Sequence, residues 1–439
     1  MLRMIAVLFA FAVGVTVGLR DAVFASCFFI WNDVFRPSEW ARYYGVLDER
    51  YFYPVHICTA VLALSLILRP WKRRWNIAST VILISLCWFF LSAALAQFRD
   101  IGIERAINAA KYMIPLALIS ATLCTRRAQL WFLYTLAASV GIWLAHHGLL
   151  GLTRQQPLTL MAIPGGQMSD RNDFLVAGTA CLPMLFFVAF RYDWRFKTWV
   201  RLGAKTALVL SISAFVFSLS RGAIVGLAGL LIWYGLLTGR LVRRFAIAAA
   251  VAAVLVAVMP DFVWDRMSTI ELGSQQAESS ARNRLEHMVT AVNVTLDYPL
   301  TGVGPNNFPP VSLRYSVFNA EPHSIWLKCS AEYGLPMLVF FVLMVGLLLV
   351  RLRNRAKLAA ALGDRQGEAM ATALSCALVG FLSTGTFTSQ FLSEYMWAII
   401  GLIGAFLATP LIPAEAPPTD DDRDTEIAAA MAGTSGQAA

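Results

Sequence analysis

Charge is scarce in this chain. Only 14% of its 439 residues are Asp, Glu, Lys or Arg, 58% are apolar, and mean hydropathy reaches +0.62. That balance excludes an ordinary water-soluble domain, whose composition is far less apolar. The seven cysteines, at 27, 58, 87, 124, 181, 329 and 376, are odd in number and scattered singly through or beside apolar runs. This argues against a disulfide framework and against a zinc site. His146-His147 and His287 have no companion ligands at metal spacing and read as structural or interfacial. Gly302-Val303-Gly304 follows no strand and precedes no Gly-Lys-Ser/Thr, which excludes a nucleotide loop. The opening apolar stretch lacks a small-residue cleavage site and feeds further spans, so it is expected to remain as a crossing.

What the chain has in abundance is apolar runs close to the roughly 20 residues that cross a bilayer. We expect spans over 52–69, 76–97, 107–124, 129–151, 174–191, 203–219, 222–237, 244–259, 331–350, 370–388 and 394–412. Residues 3–34 add a crossing, broken by Arg20-Asp21, and the short second run Ala22 to Trp31 reads as re-entrant or interfacial. The fold class is therefore an all-α polytopic membrane protein of about twelve transmembrane helices. Four regions follow: an N-terminal transmembrane bundle (1–259), a large extramembrane loop (260–330), C-terminal transmembrane helices (331–412) and a disordered tail (413–439). The tail is Pro/Ala-rich, carries Asp420-Asp421-Asp422-Arg423-Asp424 and cannot bury a core.

Lysine and arginine sort the loops into two faces. Five short loops, near 69–74, 126–127, 191–205, 240–244 and 351–365, hold 19 of the 36 basic residues. They alternate along the chain, and an excess of basic residues marks the cytoplasmic side. The net charge of +9 is then explained by topology and anionic lipid, and not by nucleic acid. The other face receives 98–106, 152–173, the Ser220-Arg221-Gly222 junction, the loop 260–330 and the turn near Gln390, which together hold the concentrated polar chemistry.

Within the large loop, Leu285, Met288, Val289, Val292 and Leu296 recur at helical spacing. Residues 281–297 are expected to form an amphipathic helix lying on the membrane or on the bundle, capped by Ser279 or Ser280. The dense turn Tyr298-Pro299-Leu300-Thr301-Gly302-Val303-Gly304-Pro305 should bring backbone close to a ligand. At the start of the span near 174, Asp170-Arg171-Asn172-Asp173 reads as a helix cap.

Taken together, Ser220-Arg221-Gly222, an arginine opening the loop helix, Pro299-Leu300-Thr301-Gly302-Val303-Gly304, Pro322-His323-Ser324-Ile325-Trp326 and Glu332-Tyr333-Gly334-Leu335 resemble the O-antigen ligase superfamily. That superfamily comprises lipopolysaccharide O-antigen ligases, O-antigen polymerases and protein O-oligosaccharyltransferases. The resemblance is closest between Phe217 and Phe340. Arg36-Pro37-Ser38-Glu39-Trp40 is also similar to exosortase-associated members.

The resemblance implies a GT-C-type, metal-independent and inverting glycosyltransferase of the bacterial inner membrane, without a cofactor. It implies a donor glycan on undecaprenyl diphosphate and an acceptor hydroxyl, most closely that of lipid A core, on the periplasmic face. Arg221 matches the family's Ser-Arg-Gly arginine, and Arg284 its loop arginine, with Arg282 as the competing match. Their planar, permanently charged forks suit a diphosphate leaving group. His323 matches the loop histidine and would take the acceptor proton or orient a substrate, with Glu321 and Glu332 near it in sequence. Lys111, about a turn inside the span that begins near Arg105, and Arg105 itself are further candidates to contact diphosphate or glycan. A protein O-oligosaccharyltransferase or a polymerase would use the same donor and the same residues. A transporter or flippase would place its charged site near the midplane, often with internal repeats, and neither feature is visible here.

Overall fold

The computed structural model describes residues 2–37, 54–68, 73–154, 168, 170–190, 198–218, 220–239, 275–316 and 321–412, and for Pro54, Arg221, 2–4 and 275–282 the backbone alone. The expected span 244–259, Ser38-Glu39-Trp40, the first part of the large loop, the basic residues at 69–72, 191–197 and 240–244, and the tail 413–439 lie outside the described residues.

Every regular element among the described residues is an α-helix: α1 (Leu2–Gly18), α2 (Ala22–Phe35), α3 (Pro54–Leu68), α4 (Ile77–Ala94), α5 (Arg99–Thr122), α6 (Arg126–Arg154) and α7 (Arg171–Phe190). They continue with α8 (Thr198–Ser218), α9 (Arg221–Thr238), α10 (Gln275–Asp297), α11 (Phe308–Ser312), α12 (Ile325–Ala361), α13 (Arg365–Gly385) and α14 (Glu394–Ala408). Six of them, α4, α6, α7, α8, α12 and α13, are long and apolar enough to cross a membrane, and five shorter apolar helices accompany them. The protein is a helical membrane protein. Helices are the expected solution, since a bilayer offers no partner for an unpaired backbone N–H or C=O.

Helix boundaries follow local chemistry. Asp21 accepts from Val23 N and Phe24 N at 2.8 and 3.1 Å, so the polar break in the first apolar run starts a separate helix, α2. That helix ends at Arg36, whose positive φ of 53° closes the turn ahead of Pro37. Asn76 and Asp364 cap α4 and α13 in the same way. Two helices start earlier than hydropathy suggests. α5 begins at Arg99 and α12 at Ile325, because their first turns carry charged residues that a hydropathy window passes over.

The connections give the bundle two distinct ends. At one end Arg126 Nη2 lies 3.0 Å from Asp364 Oδ2, with both side chains buried, and Arg355 donates to the carbonyls of Phe406 and Thr409. Arg74 N donates to the Ala121 carbonyl there as well. This is the end that carries the basic loops. At the opposite end α4, α6, α8 and α13 finish and α5, α7, α9, α12 and α14 begin. α6 packs on α7 and α8, α13 packs on α7, α9 and α12, and α14 packs on α4 and α5.

One span is broken. Within α12, Gly334 adopts φ 82° and ψ 170°, a region open to glycine alone. The carbonyls released by the break find partners outside the helix. Val303 N and Gly304 N donate to the Ala331 and Glu332 carbonyls at 2.9 and 3.0 Å, Trp88 Nε1 donates to Tyr333 O at 2.8 Å, and Leu335 N turns back to the Pro299 carbonyl. Ser92 Oγ reaches both Thr301 O and Glu332 O. The glycine-rich turn thus approaches the protein's own backbone. A Cβ on Gly302 would stand 2.3 Å from the Glu332 carbonyl carbon.

Candidate functional site

The polar residues gather where the turn after α13, the start of α12 and the starts of α7 and α9 meet. Residues 386–392 form the floor. Trp326 Nε1 donates to Thr386 Oγ1 at 3.1 Å, and Tyr112 OH donates to Leu392 O at 2.7 Å. Phe391 sits in an aromatic cluster, with its ring 5.3 Å from Tyr333, 5.1 Å from Phe341 and 5.9 Å from Phe89. This packing fixes Ser389 and Gln390 above it.

His323 stands on that floor. Its backbone N–H donates to Ser389 Oγ at 3.0 Å, and its φ of 49° is a left-handed conformation costly for a residue with a Cβ. The strain turns the imidazole toward α10, where the ring of His287 lies 5.9 Å away. Arg284, one helical turn before His287, is exposed and acts electrostatically on His323. Burial, Arg284 and His287 all push the His323 pKa below its ordinary value, against a weaker upward pull from Glu321 and Asp170. A neutral imidazole is therefore the resting form near neutral pH.

A second layer of charge lies beneath. Lys328, one turn into α12, bonds Glu321 Oε2 at 2.7 Å and stands 3.9 Å from the fully buried Glu332. Arg105 reaches Glu332 and Glu394 electrostatically from α5. Asp173 hydrogen-bonds Gln390 and lies within the field of Lys328 and Glu321. Asp170 accepts from Asn172 N at 2.7 Å and so caps α7, while Asn172 Oδ1 accepts from Ser220 Oγ at 2.9 Å. That last bond ties the first residues of α9, and with them the backbone of Arg221, to the start of α7.

The expected candidates are thus placed unequally. His323, Arg284 and Arg105 belong to one connected polar region, and the backbone of Arg221 begins α9 beside it. Arg282 lies in the first turns of α10. Lys111 is exposed and donates to Asn108 on its own helix at 2.7 Å. It stands roughly a third of a turn away from the Arg105 face.

One expectation changes. α10 begins at Gln275, so Ser279 and Ser280 lie inside the helix and cannot cap it; Gln, Gln, Ala and Glu at 275–278 are good helix formers. His287, expected to be structural or interfacial, is buried with its ring against that of His323. The sequence signal was its spacing, one turn after Arg284 on the helix face that holds Ala291 and Val294. Lys328 and Ser389 carried no motif of their own; only the fold brings them in.

The N-terminal ends of α7, α9 and α12 converge on this corner, and each adds partial positive charge. Ser220 and Ser324, at the N-cap positions of α9 and α12, make no side-chain cap bond to their own helices.

Residues 206–342 match the family model described as O-Antigen ligase. No curated protein matches the chain. The matched segment runs from α8 through the Ser220-Arg221-Gly222 junction, α10, the glycine turn and His323 into α12, and over that segment it supports the O-antigen ligase superfamily.

Proposed function

We propose that this protein is an O-antigen ligase that transfers a glycan from undecaprenyl diphosphate to the lipid A core on the periplasmic face of the bacterial inner membrane. The observation that carries the reading is the meeting of His323, His287 and Arg284 with the N-terminal ends of α7, α9 and α12, at the end of the bundle opposite its basic loops. Excess positive charge marks the cytoplasmic side, which leaves this corner facing the periplasm.

In this reading the acceptor hydroxyl attacks the anomeric carbon as its proton passes to the neutral His323 imidazole. The bond from that carbon to the diphosphate oxygen breaks, and its electron pair leaves with the diphosphate. Displacement in one step inverts the anomeric centre. Arg284 and Arg221 hold the phosphates and stabilise the charge that grows on them. Arg105 acts from below by fixing Glu332 and Glu394, and Arg282 supports the loop end of the diphosphate site. Lys111, facing away from the polar region, is left to snorkel at the membrane edge.

The reading is tested by a lipopolysaccharide gel of a deletion strain complemented with wild type or with His323→Ala at matched membrane expression. Loss of the long-chain ladder with accumulation of lipid-linked polymer, restored only by wild type, supports a ligase that uses His323. A ladder reduced to one repeat points to a polymerase. An unchanged ladder in the deletion strain sinks the ligase reading and turns attention to glycosylated proteins.

A further inference from the structure

Among the described residues, nothing covers the apolar stripe of α10. Leu285, Val289, Val292 and Leu296 are 63%, 52%, 45% and 68% exposed. The opposite face of the helix is the buried one, with His287, Thr290, Ala291, Val294 and Thr295 turned inward. Ala291 and Val294 pack there with Val303, Phe308, Val311 and Ala331. Successive residues on an α-helix are turned by about 100°, which sets the two faces on opposite sides. Seating α10 on the bundle therefore leaves its larger side chains uncovered.

That stripe continues into a surface whose partner is already defined. After α10 the chain passes to Leu300, 72% exposed, in the turn that Leu335 N binds through the Pro299 carbonyl. From Leu335 the exposed apolar face of α12 runs on through Val339, Val342 and Leu343 at helical spacing. α12 is one of the spans, so this face meets lipid. An exposed apolar face that leads from a lipid-facing span to a helix outside the span has one consistent occupant.

We infer that α10 is an interfacial helix, lying in the plane of the bilayer with Leu285, Val289, Val292 and Leu296 in the outer-leaflet acyl region. Such helices bury their apolar face about 5–10 Å into the boundary between headgroups and chains. Polar shoulders flank the stripe: Asn293 is exposed on one side and Arg284 on the other. The inward face then holds His287 against His323 within about one helix diameter of the lipid phosphates. A leaving group carried on a lipid reaches Arg284 without being drawn out of its leaflet; this consequence rests on the proposed chemistry, whereas the docking does not.

The test places p-benzoylphenylalanine at Val289, Val292 or Asn283 of the full chain, reconstituted in nanodiscs of phosphatidylethanolamine and phosphatidylglycerol. Irradiated protein is weighed by mass spectrometry. The expected result is a phospholipid adduct at 289 and 292, several-fold above that at 283, which is half-buried and lies about 120° and about 180° around the helix from them. Equal lipid adduct at all three positions, adducts only to a second copy of the chain, or no adduct at 289 and 292 each overturn the docking. Thermal unfolding of each labelled protein checks that it is folded. Adduct formation needs no turnover, so a protein that docks but transfers no glycan rejects the ligase reading alone.

Discussion

The imidazoles of His287 and His323 stand with their ring centroids 5.9 Å apart and their planes at 52°, one on α10 and the other on the strained turn that enters α12. Their pairing joins the extramembrane helix to the bundle. It also bears on the acid–base properties of the corner, because His287 is one of the neighbours that lower the pKa of His323.

The pH dependence of transfer follows from that pairing. A base works while unprotonated, and the pKa of His323 is lowered by burial, by Arg284 and by His287. Activity should therefore persist below pH 6.5 and fall only as pH drops through the lowered value. Replacing Arg284 with Gln removes a positive neighbour, so the acidic limb should move to higher pH. His287→Asn should move it in the same direction. Initial rates against pH in proteoliposomes, with lipid-linked donor, check both; a limb that stays in place in both variants removes His323 as the titrating group. His323→Gln should lower the rate by roughly 10²–10⁴-fold if the imidazole is a general base.

Gly334→Ala should destabilise the protein strongly. The new Cβ would stand 2.2 Å from the Leu300 carbonyl oxygen at a φ of 82°, and backbone in such a region costs a non-glycine residue about 1–3 kcal/mol before any clash. Gly346→Ala, on the same helix with nothing near the added carbon, should be neutral or mildly stabilising, by up to about 1 kcal/mol. Thermal melts of the two variants in detergent make the comparison.

Lys328→Met should cost about 3–5 kcal/mol by leaving the buried Glu332 without its neighbouring ammonium. The double variant Lys328→Met/Glu332→Gln should recover part of that loss, since the stranded charge is gone. A double-mutant cycle on unfolding free energies reads the coupling. Additive losses would mean that the two groups do not act as a pair.

Asn172→Ala should loosen the joint between α7 and α9. Ser220 is buried, and losing the acceptor for its hydroxyl costs about 1–3 kcal/mol. Because that joint carries the backbone of Arg221, the transfer rate should fall further than expression does, whereas the acidic limb of the pH profile should not move. Rates normalised to folded protein separate the two effects.

Much of this architecture is written in local chemistry. A hydropathy run names a span and a capping side chain ends it: Asp21, Asn76 and Asp364 act within three residues of themselves. The same locality made α10 visible from Leu285, Val289, Val292 and Leu296, whereas Arg221, Arg284 and His323 were singled out by their resemblance to the O-antigen ligase pattern. Hydropathy failed where charge sits at a helix start, as at Arg99 and before Gly334, because a window averages over the turns that matter.

Only the tertiary structure decided the rest, and the reason is distance along the chain. The amphipathic pattern of α10 says that two faces differ, not which one meets protein; the small Ala291 and Val294 fit closely against Val303 and Phe308, and the larger leucines and valines are left outside. That Gly302 and Gly304 meet backbone freed by the break at Gly334 is decided by the fold alone. His287 and His323 are 36 positions apart, and Ser389 lies 66 beyond His323. No spacing rule links them, since contacts across helices arise from packing and not from periodicity.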